Sequence, residues 1–323
     1  MNVSIIGCGA YGLALGHILH KNKCNLKYWT FDKNEKEFLE KNRESTKLKD
    51  FNIPSDVVFS CDMKEVVDNS LLVIIAVPAF AFDNVSIELS KYLKKSQHVL
   101  IATKGIEQDT CMFLNEVFKK YNDLDNVAVI SGPTFATEMV KDIPIGFSLA
   151  VNNFETERVI RNAFENDKTK IRTTSDIIGV EICGSIKNVM AIASGILGGM
   201  NAPESTKALF LTEALNDVKE LIEELGGDKK TILSFAGFGD MLMTCSSKTS
   251  RNYSFGQLIG EGKDKKEIGS YLENTTVEGV YTLKSIHKLI KNNNIYLPII
   301  DLIYDIVFNE KDKMEMLTFL INK

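Results

Sequence analysis

The sequence is poor in the residues that build metal centres and disulfide frameworks. Its six cysteines are scattered without a C-x-x-C pair, which is typical of reduced thiols in the cytoplasm. The histidines show no H-E-x-x-H or other metal-ligand spacing. There are only four of them, His17, His20, His98 and His287. We therefore expect no metal ion and no disulfide scaffold.

Long apolar runs and an excess of basic charge are also missing. No run reaches the roughly 18 apolar residues that a membrane span needs. The apolar stretch from Ser4 to Leu19 lacks the basic region that begins a signal peptide. The net charge of −5 disfavours a nucleic-acid-binding surface. These absences predict a soluble cytoplasmic protein with no membrane span and no nucleic-acid partner.

What remains is the composition of an ordinary globular chain. Its 323 residues are 44% hydrophobic and 25% charged, and they include no internal repeat and no low-complexity linker. This length suffices for two domains, each with its own core. The change from a strand-and-helix pattern to a purely helical one predicts domains at residues 1–178 and 179–323.

A glycine motif follows the first predicted strand, residues 2–6. Gly7, Gly9 and Gly12 form a G-x-G-x-x-G pattern, with Ala10 and Tyr11 between them, and helical spacing begins directly afterwards. Such a turn places a helix N-terminus and exposed amides at a dinucleotide pyrophosphate. Although the motif alone also describes ordinary glycine turns, its position between a strand and a helix favours the dinucleotide interpretation.

Apolar strands alternate with helical stretches through the first half. The strands are predicted near residues 25–29, 56–60, 71–78, 99–103 and 127–130, with helices near 34–42, 80–95 and 109–121. Near-continuous apolar strands indicate a sheet covered on both faces. We therefore predict an α/β fold, with an N-terminal Rossmann-like, doubly wound parallel sheet followed by an all-α C-terminal domain.

The adenosine end of the predicted dinucleotide site gives a mixed signal. Thr30 and Phe31 follow the second strand, and the acid that could bind ribose, Asp32, comes 20 residues after Gly12. No arginine follows to hold a 2′-phosphate, and the nearest cation, Lys33, could equally be a solvated surface residue.

Two other strand ends carry polar groups. Lys104 follows the fifth strand and could be either a site residue or a solvated loop lysine. The turn Ser131-Gly132-Pro133-Thr134-Phe135-Ala136 follows the sixth strand, where Thr134 could alternatively be only a helix cap. Both strand ends lie where a nicotinamide would bind.

The helical half begins with a lysine in an apolar helix. Lys187 lies beside a stripe of apolar residues in a helix predicted from Asp176 to Met200, so its charge must be paired unless the side chain extends to water. Further helices are predicted near residues 203–226, 228–236, 250–261, 276–292, 298–309 and 311–321. The cleft between the two domains is the expected ligand site.

Three polar clusters follow in this half. Asp240 and Thr244 lie one helical turn apart, Arg251 and Asn252 begin a helix after Ser250, and the third cluster is Thr276 and Glu278. A helix start with an arginine suits an anion. Each cluster also has a plain interpretation: Asp240 as a cap, Arg251 in a surface ion pair, Glu278 as a helix-dipole partner.

Together these segments resemble the soluble, bacterial-type NAD(P)-dependent glycerol-3-phosphate dehydrogenase family. The resemblance rests on seven segments in family order that cover nearly the whole chain: residues 7–12, 102–105, 131–136, 184–189, 237–240, 250–252 and 277–279. It implies reversible hydride transfer between a nicotinamide and dihydroxyacetone phosphate or sn-glycerol 3-phosphate, supplying glycerophospholipid synthesis.

The resemblance also implies residue roles. Lys187 would be the acid/base at the C2 oxygen, Lys104 would hold and polarise that oxygen, and Asp240 would orient Lys187, which should lie within hydrogen-bonding reach. This pairing suits hydride reduction, because negative charge then develops on oxygen. The cofactor contacts would be Gly7, Gly9, Ala10, Tyr11, Gly12, Phe31, Lys104, Ala136, Arg251, Thr276 and Glu278. The substrate contacts would be Lys104, Gly132, Thr134, Lys187, Asp240, Thr244, Ser250, Arg251 and Asn252, with Arg251 and Asn252 holding the phosphate.

Two positions depart from the family pattern. Ala10 replaces the usual serine, and Phe31 stands where many bacterial members carry arginine or histidine, which favours NAD over NADP. A related two-domain dehydrogenase for hydroxy or keto acids and an inactive nucleotide-sensing protein are the alternatives. Arg251 and Asn252 argue against the first, and the set Lys104, Lys187 and Asp240 argues against the second. A homodimer is compatible with the helical domain.

Overall fold

The computed structural model describes residues 1–323, which form two compact units. The first contains Met1–Lys104 and Leu114–Ile177, and the second contains Gly105–Phe113 and Ile178–Lys323. The short segment Gly105–Phe113 is closed by a bridge between Ile106 and Phe113 and belongs to the second unit. Each unit has its own set of secondary-structure elements.

An eight-stranded sheet forms the first unit, with strand order 3-2-1-4-5-6-7-8. Its strands are β1 Asn2–Ile6, β2 Asn25–Trp29, β3 Val58–Ser60, β4 Leu72–Ile75, β5 His98–Ile101, β6 Val127–Ser131, β7 Ile145–Val151 and β8 Thr169–Thr174. All pairs are parallel except β6 with β7. The central strands β4 and β5 are buried along their whole length, as expected for a sheet covered on both faces.

Helices connect and cover these strands. They are α1 Ala10–Lys21, α2 Lys33–Asn42, α3 Met63–Val67, α4 Phe82–Ser90, α5 Leu114–Tyr121, α6 Ala136–Met139 and α7 Phe154–Phe164. A turn of 3₁₀ helix, Ala79–Ala81, precedes α4. Asp32, Asp62 and Asn153 cap α2, α3 and α7 by accepting bonds from backbone amides in the first turn.

The edge formed by β7 and β8 extends the sheet beyond the sequence-based expectation. The strand pattern predicted six parallel strands, whereas the sheet has eight and includes an antiparallel pair. The connection from β6 to β7 contains only the four-residue α6 instead of a full crossover helix, so the chain reverses direction. β8 has little apolar signal because only Thr169 and Ile171 of its six residues are buried.

The second unit is helical. Its elements are α8 Ile177–Gly199, α9 Glu204–Glu224, α10 Asp240–Ser246, α11 Arg251–Glu261, α12 Lys265–Asn274, α13 Glu278–Asn292, α14 Pro298–Phe308 and α15 Glu315–Asn322. A 3₁₀ turn, Lys229–Leu233, and one turn of π-helix, Phe235–Gly239, precede α10. The hydrophobic pattern did not predict α12, because this helix has no buried residue.

By length and composition, α8 is one helix that could cross a membrane, which a count of uninterrupted apolar residues did not reveal. However, 89% of its most apolar window is buried inside the protein. Its apolar character is therefore explained by its place at the centre of the second unit, where side chains on all its faces pack against protein.

Candidate functional site

The glycine loop between β1 and α1 requires glycine at two of its three motif positions. Gly7 has a φ of +119°, and a Cβ there would come within 2.6 Å of the Ala76 carbonyl oxygen. A Cβ at Gly12 would come within 2.4 Å of the Gly7 carbonyl oxygen, so glycine is required for the close approach of α1 to the loop. In contrast, a Cβ at Gly9 would meet nothing within 4 Å.

This open space at Gly9 fits a dinucleotide. Gly9 is the N-cap of α1 and has no side chain to satisfy the amides of the first turn, so these amides remain available to an anion. The loop therefore combines a rigid turn at Gly7, helix packing at Gly12 and free volume at Gly9, the combination that pyrophosphate binding needs.

Four of the predicted residues in the first unit converge beside this loop. The ammonium of Lys104 lies 5.6 Å from the centre of the Tyr11 ring and 3.4 Å from the Gly132 carbonyl oxygen. The same carbonyl accepts the Thr134 hydroxyl at 3.2 Å, and the Tyr11 hydroxyl lies 3.4 Å from that of Thr134. Lys104 is therefore held over an aromatic face instead of extending freely into solvent.

The turn after β6 differs from its plain interpretation. The N-cap of α6 is Phe135, and the Thr134 hydroxyl bonds to Gly132 instead of capping the helix. Ala136 is the first residue of α6 and packs, partly buried, against the core of the first unit.

After the end of β2, Phe31 is exposed to solvent, whereas the Asp32 side chain forms hydrogen bonds within the protein. Phe31 is 82% exposed, so its ring is available to a ligand. The Asp32 carboxylate accepts the backbone amides of Asn34 and Glu35, at 2.8 and 3.4 Å, as the cap of α2. The acid that the sequence offered for ribose binding thus already has a structural task.

Lys187, on α8, is buried and paired. Its side chain is not directed into water, because Lys187 is only 7% exposed and its ammonium donates to Asp240 Oδ1 at 2.5 Å. The Thr244 hydroxyl lies 3.4 Å from the same nitrogen and donates to the Asp240 carbonyl oxygen at 2.6 Å. The expected contact between Lys187 and Asp240 is therefore present, and Asp240 is not a helix cap.

A change of helix type positions Asp240. Ser234 caps the π-helical turn by accepting the Gly237 amide at 3.2 Å, and α10 continues directly from this turn with Asp240 in its first position. A Cβ at Gly237 would lie 2.2 Å from the Ile232 carbonyl oxygen, so the turn needs glycine there. One turn further along α10, burial raises the pKa of the Cys245 thiol to about 12, which leaves it protonated.

An amide network links α8, α11 and α13. Asn252 donates to the Asn188 side-chain oxygen at 2.9 Å and accepts the Gly279 backbone amide at 2.8 Å. The Asn188 amide nitrogen lies 3.4 Å from a Glu278 carboxylate oxygen. These contacts bring together Asn252 and Glu278, which the sequence left in separate clusters.

Asn188 was not among the predicted site residues. Asn188 is 4% exposed and directly follows Lys187, and an amide in an otherwise apolar helix was the signal that could have identified it. Its partners lie 64 and 90 residues away along the chain, which no local pattern reveals.

The remaining predicted residues of the second unit lie at helix starts. Ser250 caps α11 by accepting the Tyr253 amide at 3.2 Å. Arg251 is the exposed first residue of that helix, a position where the backbone amides of the first turn favour an anion. Thr276 is exposed just before α13, whose first residue is Glu278.

The arrangement can perform proton transfer and anion binding. A buried ammonium held by a carboxylate and a hydroxyl is a positioned proton donor. Asn252 and Arg251 offer donors at a helix N-terminus, which suits a phosphate. In the first unit, the glycine loop with Lys104 and Tyr11 suits a dinucleotide.

Comparison with known proteins identifies similar sequences and structures. Profiles of the NAD-dependent glycerol-3-phosphate dehydrogenase N-terminus and C-terminus match residues 2–157 and 176–318. A glycerol-3-phosphate dehydrogenase (NAD(P)+) of Fusobacterium nucleatum is 37% identical over 99% of this chain and 96% of its own length. The corresponding protein of a Thermoanaerobacter species is also 37% identical, over 100% and 97%. The crystal structure of glycerol-3-phosphate dehydrogenase from Coxiella burnetii superposes with a TM-score of 0.93 at 28% identity, covering 100% of this chain and 99% of that one.

Proposed function

The chain belongs to the NAD-dependent glycerol-3-phosphate dehydrogenase family, and from this membership we infer that it is an oxidoreductase that interconverts dihydroxyacetone phosphate and sn-glycerol 3-phosphate with NAD or NADP. The observation that carries the chemistry is the buried Lys187–Asp240 pair, because ketone reduction needs a proton donor that is shielded from water. The nicotinamide supplies the hydride.

Lys187 is the proposed acid/base at the substrate oxygen. In the reducing direction the ammonium gives one proton to the oxygen of the carbonyl group as that oxygen becomes negative. Asp240 and Thr244 hold the nitrogen, so that little reorganisation is needed during the reaction. In the oxidising direction the neutral amine takes the proton back.

Lys104 is the proposed second cation for the substrate oxygen. Its contacts with the Tyr11 ring and the Gly132 carbonyl restrict the side chain, and an ordered ammonium stabilises developing negative charge better than a mobile one.

Arg251 and Asn252 are the proposed phosphate ligands. They begin α11, where the guanidinium, the second N–H of the Asn252 amide and the backbone amides that Ser250 does not cap can act on the same anion. Binding energy from a phosphate remote from the reacting carbon then serves to orient the ketone.

The residues proposed to contact the cofactor begin with the glycine loop. The loop that contains Gly7, Gly9 and Gly12 would bind the pyrophosphate through its backbone amides. Ala10, Tyr11 and Ala136 would lie beside the pyrophosphate, and Phe31 would contact the adenosine. Glu278 and Thr276 would add contacts from the start of α13, where the Asn188 amide orients the Glu278 carboxylate.

One assay tests the reaction. We expect purified protein to oxidise NADH or NADPH, followed at 340 nm, only when dihydroxyacetone phosphate is present. Dihydroxyacetone without the phosphate and a branched 2-keto acid serve as comparison substrates. The proposal fails if neither nucleotide is oxidised with the phosphorylated ketone, or if the keto acid is turned over faster.

The cellular role is part of the proposal. Reduction of dihydroxyacetone phosphate would supply the glycerol phosphate backbone of phospholipids. A cytoplasmic location is supported by the six cysteines, which form no disulfide and five of which are buried, as suits a reducing compartment. A homodimer is also proposed, and light scattering coupled to gel filtration would test it.

A further inference from the structure

A carboxylate and an ammonium form a pair at the carboxyl end of β2. Glu35 Oε2 accepts the hydroxyl of Thr30 at 2.6 Å, and Oε1 accepts a hydrogen bond from Lys47. Thr30 is the first residue after β2, so both charges lie at the end of the strand that receives the adenosine ribose in dinucleotide-binding sheets. The Glu35 side chain is 16% exposed and that of Lys47 is 53% exposed.

The same pair acts on the glycine loop. Cys8 lies between Gly7 and Gly9, with its sulfur 3.7 Å from the Trp29 carbonyl oxygen at the end of β2. Burial is the largest influence raising the pKa of the Cys8 thiol, the Glu35 carboxylate raises it further, and the Lys47 ammonium lowers it. Both charges are therefore close enough to the glycine loop to act on it electrostatically, and they would act in the same way on a nucleotide bound there.

The backbone around Lys47 is held by hydrogen bonds, whereas its side chain is half exposed to solvent. Ser45 and Leu48 form an antiparallel bridge and are buried, and the Lys47 amide donates to the Ser45 hydroxyl at 3.1 Å. The ammonium thus starts from a fixed point. Because half of the side chain is in solvent, it can exchange one anionic partner for another at little cost.

A comparable contact follows β3 and shows which part of this arrangement is structural. The Ser60 hydroxyl donates to Glu65 Oε2 at 2.6 Å, and Asp62 caps α3 as Asp32 caps α2. A hydroxyl bound to a glutamate in the first turn of the next helix is therefore a repeated way of joining strand to helix here. The ion pair between Glu35 and Lys47 is the feature that distinguishes the end of β2 from the end of β3.

We propose that Glu35 and Lys47 set the preference between NAD and NADP, a proposal that rests on the nucleotide-binding role inferred above. Asp32 Oδ1 accepts both capping amides, which holds that carboxylate at the start of α2, whereas Glu35 Oε1 is held by the half-exposed Lys47. Glu35 is therefore the acid that accepts the ribose hydroxyls of NAD. Lys47 balances that acid and moves to the 2′-phosphate when NADP binds. Without Lys47, the Glu35 carboxylate faces the 2′-phosphate with no counter-charge and repels it.

Direct binding of the two nucleotides tests this pair without any turnover. NADH and NADPH are titrated separately, by nucleotide fluorescence, into the unmodified protein and the variants Lys47→Met, Lys47→Arg and Glu35→Gln. We expect Lys47→Met to weaken NADPH binding by about tenfold or more, the effect of losing one charge-assisted contact, with NADH changed less than about twofold. Lys47→Arg should bind NADPH as the unmodified protein does, and Glu35→Gln should favour NADPH over NADH.

The matched control is Lys33→Met. Lys33 is an exposed lysine at the start of α2, so its replacement by methionine changes the net charge by the same amount at the same strand end. The proposal is overturned if Lys33→Met and Lys47→Met weaken NADPH equally, if Lys47→Met weakens both nucleotides alike, or if the unmodified protein binds NADH alone. If the unmodified protein binds both nucleotides but does not turn over dihydroxyacetone phosphate, that result would instead refute the proposed reaction.

Discussion

Lys187 is a charged residue that the fold keeps almost free of water. Burying an ammonium is costly unless a counter-charge and hydrogen bonds replace the lost water, and Asp240 and Thr244 supply both. Replacing such a pair by apolar residues often costs nothing, so stability alone does not explain why it is there. Its proposed task at the substrate oxygen does.

Replacement of Lys187 by alanine tests that task. We expect Lys187→Ala to lower kcat by about 10²–10⁴-fold, the usual contribution of a positioned acid, while NADH binding is retained. Lys265→Ala removes an exposed lysine paired with Glu310 and should leave kcat unchanged. Near-normal turnover in Lys187→Ala would refute the role of this residue.

The pair also predicts a non-additive effect on stability. Asp240→Leu leaves the buried ammonium without its counter-charge and should lower the free energy of unfolding by about 3 kcal/mol or more. In the double variant Lys187→Met/Asp240→Leu no buried charge remains, so much of that loss should be recovered. Urea unfolding of the two single variants and the double variant measures this coupling, and strictly additive losses would contradict it.

At the scale of the secondary-structure elements, the loop before α1 contains one glycine that stability requires and another that the proposed nucleotide binding requires. Gly12→Ala should destabilise the protein because its Cβ would meet the Gly7 carbonyl oxygen at 2.4 Å. Gly9→Ala should leave the melting temperature nearly unchanged, since its Cβ meets nothing within 4 Å and its φ of −69° suits alanine. The same variant should bind NADH more weakly, because the methyl group occupies the proposed pyrophosphate space. Tight nucleotide binding by Gly9→Ala would place the pyrophosphate elsewhere.

A second element-level feature is the close packing of α8 on α11. A Cβ at Gly256 would lie 1.9 Å from the Ile192 carbonyl oxygen, and one at Gly195 would lie 2.1 Å from that of Tyr253. The two helices therefore touch through their backbones, and α11 carries Arg251 and Asn252 at its start.

Alanine substitution measures how tight this contact is. Gly256→Ala should cost about 1–3 kcal/mol of stability, because the two backbones would have to separate. Gly269→Ala is the matched control, since it lies in α12 with nothing within 4 Å of its Cβ and should gain up to about 1 kcal/mol from helix propensity. Thermal unfolding distinguishes the two, and equal effects would show that α8 and α11 tolerate a wider spacing.

For the whole molecule, one buried histidine predicts how stability changes below neutral pH. His98 is 8% exposed and bonds to the Thr156 hydroxyl at 2.9 Å, and burial lowers its pKa below the ordinary value of 6.5 while Glu155 opposes this. The unfolded chain therefore binds a proton at His98 more readily than the folded protein, so stability should fall as the pH drops through and below 6.5.

Replacing His98 checks this dependence. His98→Gln should be less sensitive to pH between 7 and 5 in urea unfolding than the unmodified protein. His20→Gln, which removes a surface histidine bonded to Asp56, is the comparison. If the pH profiles of the two variants coincide, His98 does not account for the loss.

The order of the first six strands could be predicted from the sequence because it depends on local pattern. Strands β1 and β2 have the predicted bounds, Asn2–Ile6 and Asn25–Trp29, since each is a short apolar segment with a clear turn after it. The glycine loop could also be predicted, because chain geometry restricts what glycines at this spacing can do. The antiparallel direction of β7 was not predicted because it depends on the short connection after β6, and β8 was not predicted because only two of its six residues are buried.

The sequence by itself determined the two-part architecture, the glycine loop and the chemical types present: a lysine in an apolar helix, an arginine at a helix start and an acid after β2. Only the tertiary structure decided how these side chains pair. It joined Asn188 with Asn252 and Glu278, and it assigned Asp32 to a helix cap while placing Glu35 beside Lys47. The reason is physical: backbone pattern follows from neighbours in sequence, whereas a buried or partly buried charge is satisfied by whichever partner the packed chain brings within hydrogen-bonding distance.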